Sequence, residues 1–194
     1  MGRDIAESNN DLMRIFDTGS EILGKDLKTI CFDSTPEILS ETINAQPSIM
    51  AVSLVCLNAA LAKGFSFDGV AGHSLGEYAA LVSSGMVSAE DGFRLIKARA
   101  EAMEMATAEQ KGAMAAVMKL APEKIEEICS KAVNYVTAVN YNSPQQTVIA
   151  GTPEGIAEVS EVFAELKARV VPLNVAGAFH SKLMEEASKE FFET

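Results

Sequence analysis

A serine placed between two glycines is the clearest candidate for chemistry in this sequence. The stretch GHSLG, residues 72–76, matches the G-x-S-x-G pattern of a nucleophile elbow, in which a sharp strand-to-helix turn exposes the serine hydroxyl. The apolar residues before it predict a strand over 65–74, and those after it predict a helix over 75–85. The Leu75 N–H at the start of that helix is suited to stabilise an oxyanion. A small residue in an ordinary tight turn is the alternative interpretation of Ser74.

A nucleophilic serine needs a general base, and the chain contains only two histidines, His73 and His180. Side chains of successive residues diverge at such a turn, so we expect His73 to pack against or support the elbow. His180 follows a predicted strand and precedes a predicted helix, which is a typical position for a catalytic loop residue. By elimination His180 is the better base, although a solvated loop histidine is the alternative.

An arginine lies in an apolar row of the helix predicted over residues 89–106. Leu95, Arg99 and Met103 follow one another at four-residue spacing, so they share one face of that helix. A guanidinium stays charged there and requires a carboxylate or phosphate partner. The partner is either an internal acid such as Glu77 or the free carboxylate of an acyl group that the serine attacks.

The composition excludes several functional classes. The chain has 16 basic and 27 acidic residues, and the resulting net charge of −11 argues against non-specific binding of nucleic acid. The longest apolar stretch, residues 47–62, is short for a bilayer span and contains polar residues, so it predicts a buried helix and no membrane association. Three cysteines without metal-ligand spacing predict reduced core thiols in a cytoplasmic protein, and we expect no metal site.

The remaining patterns predict an α/β protein. Helices come first, with Ser34 or Thr35 as a cap before Pro36, a helix from Pro47 to Gly64, and a capping box that pairs Ser88 with Asp91. From residue 112 to residue 178 the predicted order changes to β-α-β-β-α-β, which is the ferredoxin-like arrangement. The last of those strands covers residues 168–177, and a final helix over 181–193 follows.

Several of these stretches together resemble one known family, the malonyl-CoA:acyl carrier protein transacylases of type II fatty-acid synthesis, which have relatives in polyketide synthases. The similar stretches occur in the family's order along most of the chain. They are AQP at 45–47, GHSLGEYAAL at 72–81, ARAEAM around Arg99, NYNSP at 140–144 and AFHSKLM around His180. The AFHS form of the last stretch resembles the version of this loop that selects malonyl groups.

The resemblance implies a fold of two subdomains. An incomplete α/β-hydrolase-like large subdomain would comprise residues 1–111 and 179–194, and an inserted ferredoxin-like βαββαβ small subdomain would comprise residues 112–178. Family members normally begin with a strand that ends in a Gly-Gln-Gly segment and continue well beyond the helix after the histidine. We therefore expect this chain to be a family member truncated at both ends.

The resemblance also implies a reaction. Ser74, activated by His180, would take malonyl from coenzyme A and pass it to the phosphopantetheine thiol of acyl carrier protein in the cytoplasm. Arg99 would hold the malonyl carboxylate and the Leu75 N–H would serve the oxyanion, while further polar side chains line the pocket: Gln46, Asn140 and Asn142. Malonyl-CoA is then a substrate, and no cofactor is expected.

Two other functions fit the same residues. A serine hydrolase would use the same elbow to cleave esters, but it needs no inward arginine and usually has an acid between its serine and its histidine. The chain could instead bind coenzyme A or carrier protein without catalysis. Acylation of Ser74 followed by transfer to a carrier-protein thiol indicates the transferase, and acylation followed by rapid loss to water indicates the hydrolase. Binding without acylation of Ser74 indicates the non-catalytic protein.

Overall fold

The protein divides into two compact units, which are described separately. The structure is a computed structural model that describes residues 1–193. The units are Met1–Glu101 and Ala102–Thr194. The regular elements of the first are helices, and the second contains a four-stranded antiparallel sheet with helices. The chain thus has the mixed α/β content predicted from its sequence. The predicted division at residues 111 and 179 stays a prediction.

Within residues 1–101 seven helices begin, and the last of them continues into the second unit. They are α1 (Arg3–Ala6), α2 (Asn10–Leu23), α3 (Leu27–Phe32), α4 (Pro36–Ser40), α5 (Thr42–Ala62), α6 (Gly76–Ser83) and α7 (Ala89–Glu109). Large apolar side chains from α2, α3, α5 and α7 are fully buried together in the core of this unit: Phe16, Leu27, Leu54, Phe93 and Ile96. Each contributes about 1.5–3 kcal/mol by its burial, so this core holds the helices in place.

The predicted helix starts at Pro36 and Ser88 are confirmed. Thr35 caps α4, since its hydroxyl oxygen accepts the Ile38 N–H at 3.4 Å and Pro36 occupies the first turn. Before α7, the Ser88 hydroxyl oxygen accepts the Asp91 N–H at 3.0 Å, and the Ser88 hydroxyl donates to the Asp91 carboxylate at the same distance. These side chains satisfy N–H groups that have no partner within their own helices.

The predicted start of the longest apolar helix at Pro47 is wrong. Helix α5 begins five residues earlier, at Thr42, so Pro47 lies inside it. A proline has no N–H to donate to the carbonyl four residues before it, and the helix forms in spite of that missing bond. The earlier start places Gln46 on the helix, where its side chain is buried.

Helix α5 is also long and apolar enough, by length and composition alone, to cross a membrane. Core helices can meet the same criterion. Met50, Ala51, Leu54 and Val55 on this helix are buried in the core of the first unit. The predicted burial of this segment is therefore confirmed for this part of α5, whereas Cys56 and Leu61 farther along the helix are exposed.

The strand predicted over residues 65–74 is absent from the structure. Phe65, Phe67 and Val70 are exposed there, and none of the strands in residues 1–193 pairs with this segment. A strand forms only when a neighbouring strand accepts and donates its backbone hydrogen bonds. The described strands all belong to the sheet of the second unit, so the apolar pattern has no partner strand.

The second unit contains the predicted order of strands and helices. Its elements are β1 (Ala113–Met118), α8 (Pro122–Lys131), β2 (Val136–Ser143), β3 (Gln146–Gly151), α9 (Pro153–Glu165), β4 (Arg169–Pro172), a 3₁₀ helix (Lys182–Met184) and α10 (Glu185–Phe192). The strands lie in the order β2-β3-β1-β4, and all neighbours are antiparallel. The last strand is shorter than its predicted range of residues 168–177. Strand β4 ends at Pro172, which has no N–H to donate to a neighbouring strand.

Strand β1 is buried on both faces of the sheet. Ala115 and Val117 pack with α8 and α9, and the alternate residues Met114 and Ala116 pack on the opposite face around Ala178. Burial on both faces explains why this strand is continuously apolar in sequence. Because Ala178 packs on this face, the segment that leads to His180 lies against the sheet.

The prediction that all three cysteines lie in the core is wrong for one of them. Cys31 and Cys129 are buried, but Cys56 is exposed, and all three are free thiols. Cys56 lies on the side of α5 that faces away from the core residues. Burial raises the pKa of the Cys129 thiol to about 11.

Candidate active site

Ser74 occupies a strained turn directly before α6. Its φ angle is 54°, a left-handed conformation that residues other than glycine rarely adopt. The turn is closed by N–H groups that donate to carbonyls three residues back: Gly76 to His73, Glu77 to Ser74 and Tyr78 to Leu75. Strain of this kind persists only where the surrounding structure imposes it, and it concentrates at functional sites.

Gly72 is required by the close approach of two backbone segments. A Cβ atom at this position would lie 2.1 Å from the Gly76 carbonyl carbon and oxygen. No side chain fits there, so the first glycine of the motif has a steric reason. At Gly76 a Cβ atom would meet nothing within 4 Å, so the second glycine of the motif has no such steric reason.

Leu75 joins the elbow to the core of the first unit. Its side chain packs against the buried cluster, together with Tyr78 and Val82 of α6. The Leu75 N–H comes directly before the three N–H groups that close the turn. It therefore lies at the N-terminal end of α6, where the helix dipole is positive. The backbone around Ser74 therefore offers a donor at the place where an oxyanion donor is expected.

Helix α7 approaches α5 and α6 closely through Gly92. A Cβ atom there would lie 2.5 Å from the end of the Met50 side chain and 2.7 Å from Val82. Arg99 is seven residues, or two turns, after Gly92, so it lies on the same face of α7. This packing directs the arginine toward α5 and α6, as its position in an apolar row predicts.

The Arg99 guanidinium connects three of the elements that form the site. One nitrogen donates to the Ser74 hydroxyl oxygen at 3.1 Å, and the other donates to the side-chain oxygen of Gln46 on α5. The guanidinium also lies 5.8 Å from the centre of the Tyr78 ring, within the range of a cation–π contact. The serine and arginine predicted to act together are thus in direct contact, and Gln46 is the third member.

Among the residues that the structure describes, this cation has no carboxylate partner. Burial lowers the pKa of Arg99, while the charge of Glu77 acts in the opposite direction from a distance. Within residues 1–193 no carboxylate forms an ion pair with Arg99, and Glu77 is exposed, so the alternative of an internal Arg99–Glu77 pair is wrong. A partly buried guanidinium held only by neutral oxygens is suited to receive an anion.

His180 belongs to the second unit, on the loop between β4 and the 3₁₀ helix. Its φ angle is 60°, so the second predicted catalytic residue also has left-handed backbone. Its side chain is exposed. Its approach to Ser74 stays a prediction. His73 is exposed too, and its carbonyl supports the elbow by accepting the Gly76 N–H.

Asn140 and Asn142 lie on β2, at an edge of the sheet. Asn142 is exposed and donates through its side-chain amide to the side-chain oxygen of Gln146, 3.0 Å away on β3. A register shift in the pairing of β2 with β3 precedes Asn140, and a second follows Tyr141. Their predicted contribution to a substrate pocket stays a prediction.

Tyr78 is the site residue that sequence reasoning missed. It follows Ser74 by four residues, so the helical spacing after the elbow could have identified it. Burial raises the pKa of its hydroxyl, and its half-buried ring covers one side of the Arg99 guanidinium. Tyr78 therefore limits the positions that the guanidinium can adopt.

Comparison with known proteins matches residues 9–194 to the family described as acyl transferase domain. The malonyl CoA-acyl carrier protein transacylase of Bacillus subtilis (strain 168) is 37% identical over 197 residues, which cover 100% of this chain and 62% of that protein. The solved structure of the corresponding Clostridium perfringens protein superimposes with a TM-score of 0.91 at 33% identity, covering 100% of this chain and 62% of that chain.

A second similar structure contains a partner protein. It is a type II PKS acyl-carrier protein in complex with its malonyl-transacylase, with a TM-score of 0.93 at 33% identity over 98% of this chain and 63% of that one. The chain thus spans about three-fifths of the length of the relatives that it matches. The recognised sequence stretches and the independent structural similarity agree on one family.

Proposed function

We propose that this chain, which belongs to the acyl transferase domain family, carries the acyl-binding site of a malonyl transferase. The observation that supports this most strongly is the contact of the Arg99 guanidinium with the Ser74 hydroxyl, while no carboxylate among residues 1–193 forms an ion pair with that guanidinium. A serine that is acylated beside an unpaired guanidinium favours an acyl group that has its own carboxylate. Malonyl is the smallest common acyl group of that kind, and the relatives are malonyl transacylases.

The first half-reaction forms a malonyl ester on Ser74. The serine oxygen attacks the thioester carbonyl of malonyl-CoA as its proton passes to His180, and the Leu75 N–H stabilises the tetrahedral oxyanion. When the intermediate collapses, the carbon–sulfur bond breaks and the coenzyme A sulfur takes the proton from His180. The reaction needs no cofactor, because malonyl-CoA is itself the substrate.

The second half-reaction reverses these steps with another thiol. The phosphopantetheine thiol of an acyl carrier protein gives its proton to His180 and attacks the ester, and Ser74 recovers its hydroxyl as the new thioester forms. Support for this partner comes from the acyl-carrier protein that is bound to one of the similar structures. A cytoplasmic location for the reaction stays a prediction.

Arg99 would exchange partners during the first half-reaction. In the free protein it donates to Ser74 and Gln46. When the ester forms, the serine oxygen loses most of its capacity to accept, and the malonyl carboxylate becomes the stronger acceptor for the guanidinium. Gln46 keeps the other nitrogen in place, so the cation stays directed at the acyl group.

We assign the finer architecture on the same basis. The order β2-β3-β1-β4 with one helix after β1 and one after β3 supports a ferredoxin-like subdomain over residues 112–178. The strained serine turn that leads into α6 supports an α/β-hydrolase-like subdomain for residues 1–111 and 179–194. Asn140 and Asn142 would line the substrate pocket from the smaller subdomain.

Discharge of the acylated chain tests this function. The protein is incubated with malonyl-CoA, separated from the excess, and then mixed either with buffer or with a phosphopantetheinylated acyl carrier protein. Malonyl transfer requires an adduct that persists in buffer and moves to the carrier thiol. An adduct lost to water at the same rate in both mixtures supports a serine hydrolase, and binding of malonyl-CoA without any adduct supports a non-catalytic protein.

A further inference from the structure

The loop that carries His180 is held by its own turn and by the sheet of the second unit. The Ser181 hydroxyl donates to the Ala178 carbonyl at 2.6 Å, and its oxygen accepts the Leu183 N–H at 3.2 Å. These bonds close a turn around His180, whose backbone is left-handed. Ala178 is fully buried against the sheet, which fixes the start of the loop.

The end of the loop is held by Tyr135, a residue 47 positions earlier. The Tyr135 hydroxyl oxygen accepts the Lys182 N–H at 3.1 Å, and the Lys182 ammonium lies 4.0 Å from the centre of the Tyr135 ring. One aromatic side chain thus binds both the backbone and the side chain of the residue two positions after His180. Both contacts lie within the second unit.

Tyr135 is itself fixed to the sheet. Its carbonyl accepts the Thr152 N–H at 2.9 Å, directly before α9, and the next residue, Val136, begins β2. Side chains at Gly151 and Gly155 would collide with that same carbonyl, so the backbone packs closely at this point. The backbone that carries the Tyr135 side chain is therefore fixed to the sheet.

We propose that Tyr135 is a positioning residue for His180: its hydroxyl holds the Lys182 N–H and thereby keeps the left-handed turn that directs the imidazole. The His180 side chain is exposed, and the left-handed conformation of its backbone contributes to the direction of the imidazole. The inference rests on the proposed function only in making His180 the base for Ser74. The contacts of Tyr135 with Lys182 do not depend on whether His180 acts in catalysis.

Two substitutions separate the two contacts of Tyr135. Tyr135→Phe keeps the ring under the Lys182 ammonium and removes the hydroxyl acceptor, while Lys182→Met removes the ammonium and keeps the backbone N–H. Tyr141→Phe is the matched control, because Tyr141 lies on β2, the strand that directly follows Tyr135, and its hydroxyl contacts Glu126 on α8. All three variants retain an apolar body of similar size, so the fold is expected to survive.

The experiment uses three readouts on the whole chain: the exchange rate of the Lys182 amide by NMR, the Cε1–H signal of His180, and the single-turnover rate of Ser74 acylation by malonyl-CoA. With two histidines in the chain, His73→Gln identifies the His180 signal. In Tyr135→Phe we expect about tenfold faster amide exchange and about tenfold slower acylation, the effect of one lost hydrogen bond. The His180 signal shifts, and the malonyl-CoA concentration for half-maximal rate stays the same. Lys182→Met gives smaller changes, and Tyr141→Phe gives none.

The proposal is overturned if Tyr135→Phe leaves both the His180 signal and the acylation rate at the values of the parent chain. It is equally overturned if Lys182→Met has the larger effect, since the hydroxyl is then not the group that holds the loop. If the parent chain does not acylate Ser74 at all, the proposed function fails. The amide exchange and the His180 signal then still decide whether Tyr135 positions the histidine.

Discussion

The Arg99 guanidinium donates a hydrogen bond to the Ser74 hydroxyl oxygen over 3.1 Å, across 25 residues of sequence. A cation in contact with the nucleophile favours the ionised form of the serine oxygen and is within reach of whatever the serine binds. Because no carboxylate within residues 1–193 forms an ion pair with Arg99, the proposed function gives this contact two roles: it would favour a substrate that carries a negative charge, and it would assist the nucleophile.

Replacement of the arginine should change the choice of acyl group. In Arg99→Ala we expect acylation by malonyl-CoA to fall about 10- to 100-fold, the usual effect of losing a hydrogen bond to a charged group, and acylation by acetyl-CoA to fall much less. Arg94→Ala is the matched control, since Arg94 is on the same helix with 64% of its side chain exposed and pairs with Asp91. Single-turnover rates by mass spectrometry give the comparison. Equal losses with both acyl groups would mean that Arg99 does not bind the carboxylate.

A carboxylate introduced at position 46 should compete with the substrate. Gln46→Glu has almost the same shape as the parent side chain, but it places a negative charge against Arg99, which Gln46 already contacts. The guanidinium would then have an internal partner, so we expect slower malonyl transfer and an unchanged or improved acetyl transfer. Gln46→Leu, which provides no acceptor, should leave Arg99 less well placed but still able to bind malonyl. Faster malonyl transfer in Gln46→Glu than in the parent would contradict this account.

The two glycines of the elbow should respond differently to alanine. At Gly72 the added methyl group collides with the backbone at Gly76, so we expect Gly72→Ala to lose about 1–3 kcal/mol of stability and most of the Ser74 acylation. Gly76→Ala, where a Cβ atom meets nothing within 4 Å, should leave the stability nearly unchanged. Urea unfolding and acylation rates measure both. A Gly72→Ala variant as stable as the parent would show that the turn is looser than described.

The three thiols should react at different rates. Cys56 is exposed, whereas burial raises the pKa of Cys31 and takes that of Cys129 from its ordinary 9.0 to about 11. Because the thiolate is the reactive form, iodoacetamide at pH 8 should alkylate Cys56 at least about tenfold faster than the other two. A raised thiol pKa means that the folded state favours the protonated form. The resulting contribution to stability is present below pH 9 and is lost as the pH rises toward 11. Equal alkylation rates in the folded protein would contradict the described cores.

The features predicted correctly from the sequence are those that local spacing determines. The G-x-S-x-G spacing around Ser74 predicts a sharp turn, and the four-residue interval from Leu95 through Arg99 places the arginine on an inward face. The β-α-β-β-α-β order follows in the same way from alternating strand and helix patterns. Each of these requires only residues that are close in sequence.

The features that were missed depend on contacts between distant segments. Whether residues 65–74 form a strand depends on a partner strand elsewhere, and the described residues provide none. The contact of Gln46 with Arg99 joins positions 53 residues apart, and the hold of Tyr135 on Lys182 joins positions 47 apart. No periodicity in the sequence reports such pairs, because they arise only when the helices and the sheet have packed.

The most direct test of the central claim is the intact mass of the chain after exposure to malonyl-CoA, followed by peptide mapping. The account predicts one added malonyl group per chain, located on Ser74 and absent from Ser74→Ala. It also predicts that an equal concentration of acetyl-CoA gives less adduct with the parent chain. No adduct, or an adduct that remains in Ser74→Ala, would contradict the assignment of Ser74 as the residue that receives the malonyl group beside Arg99.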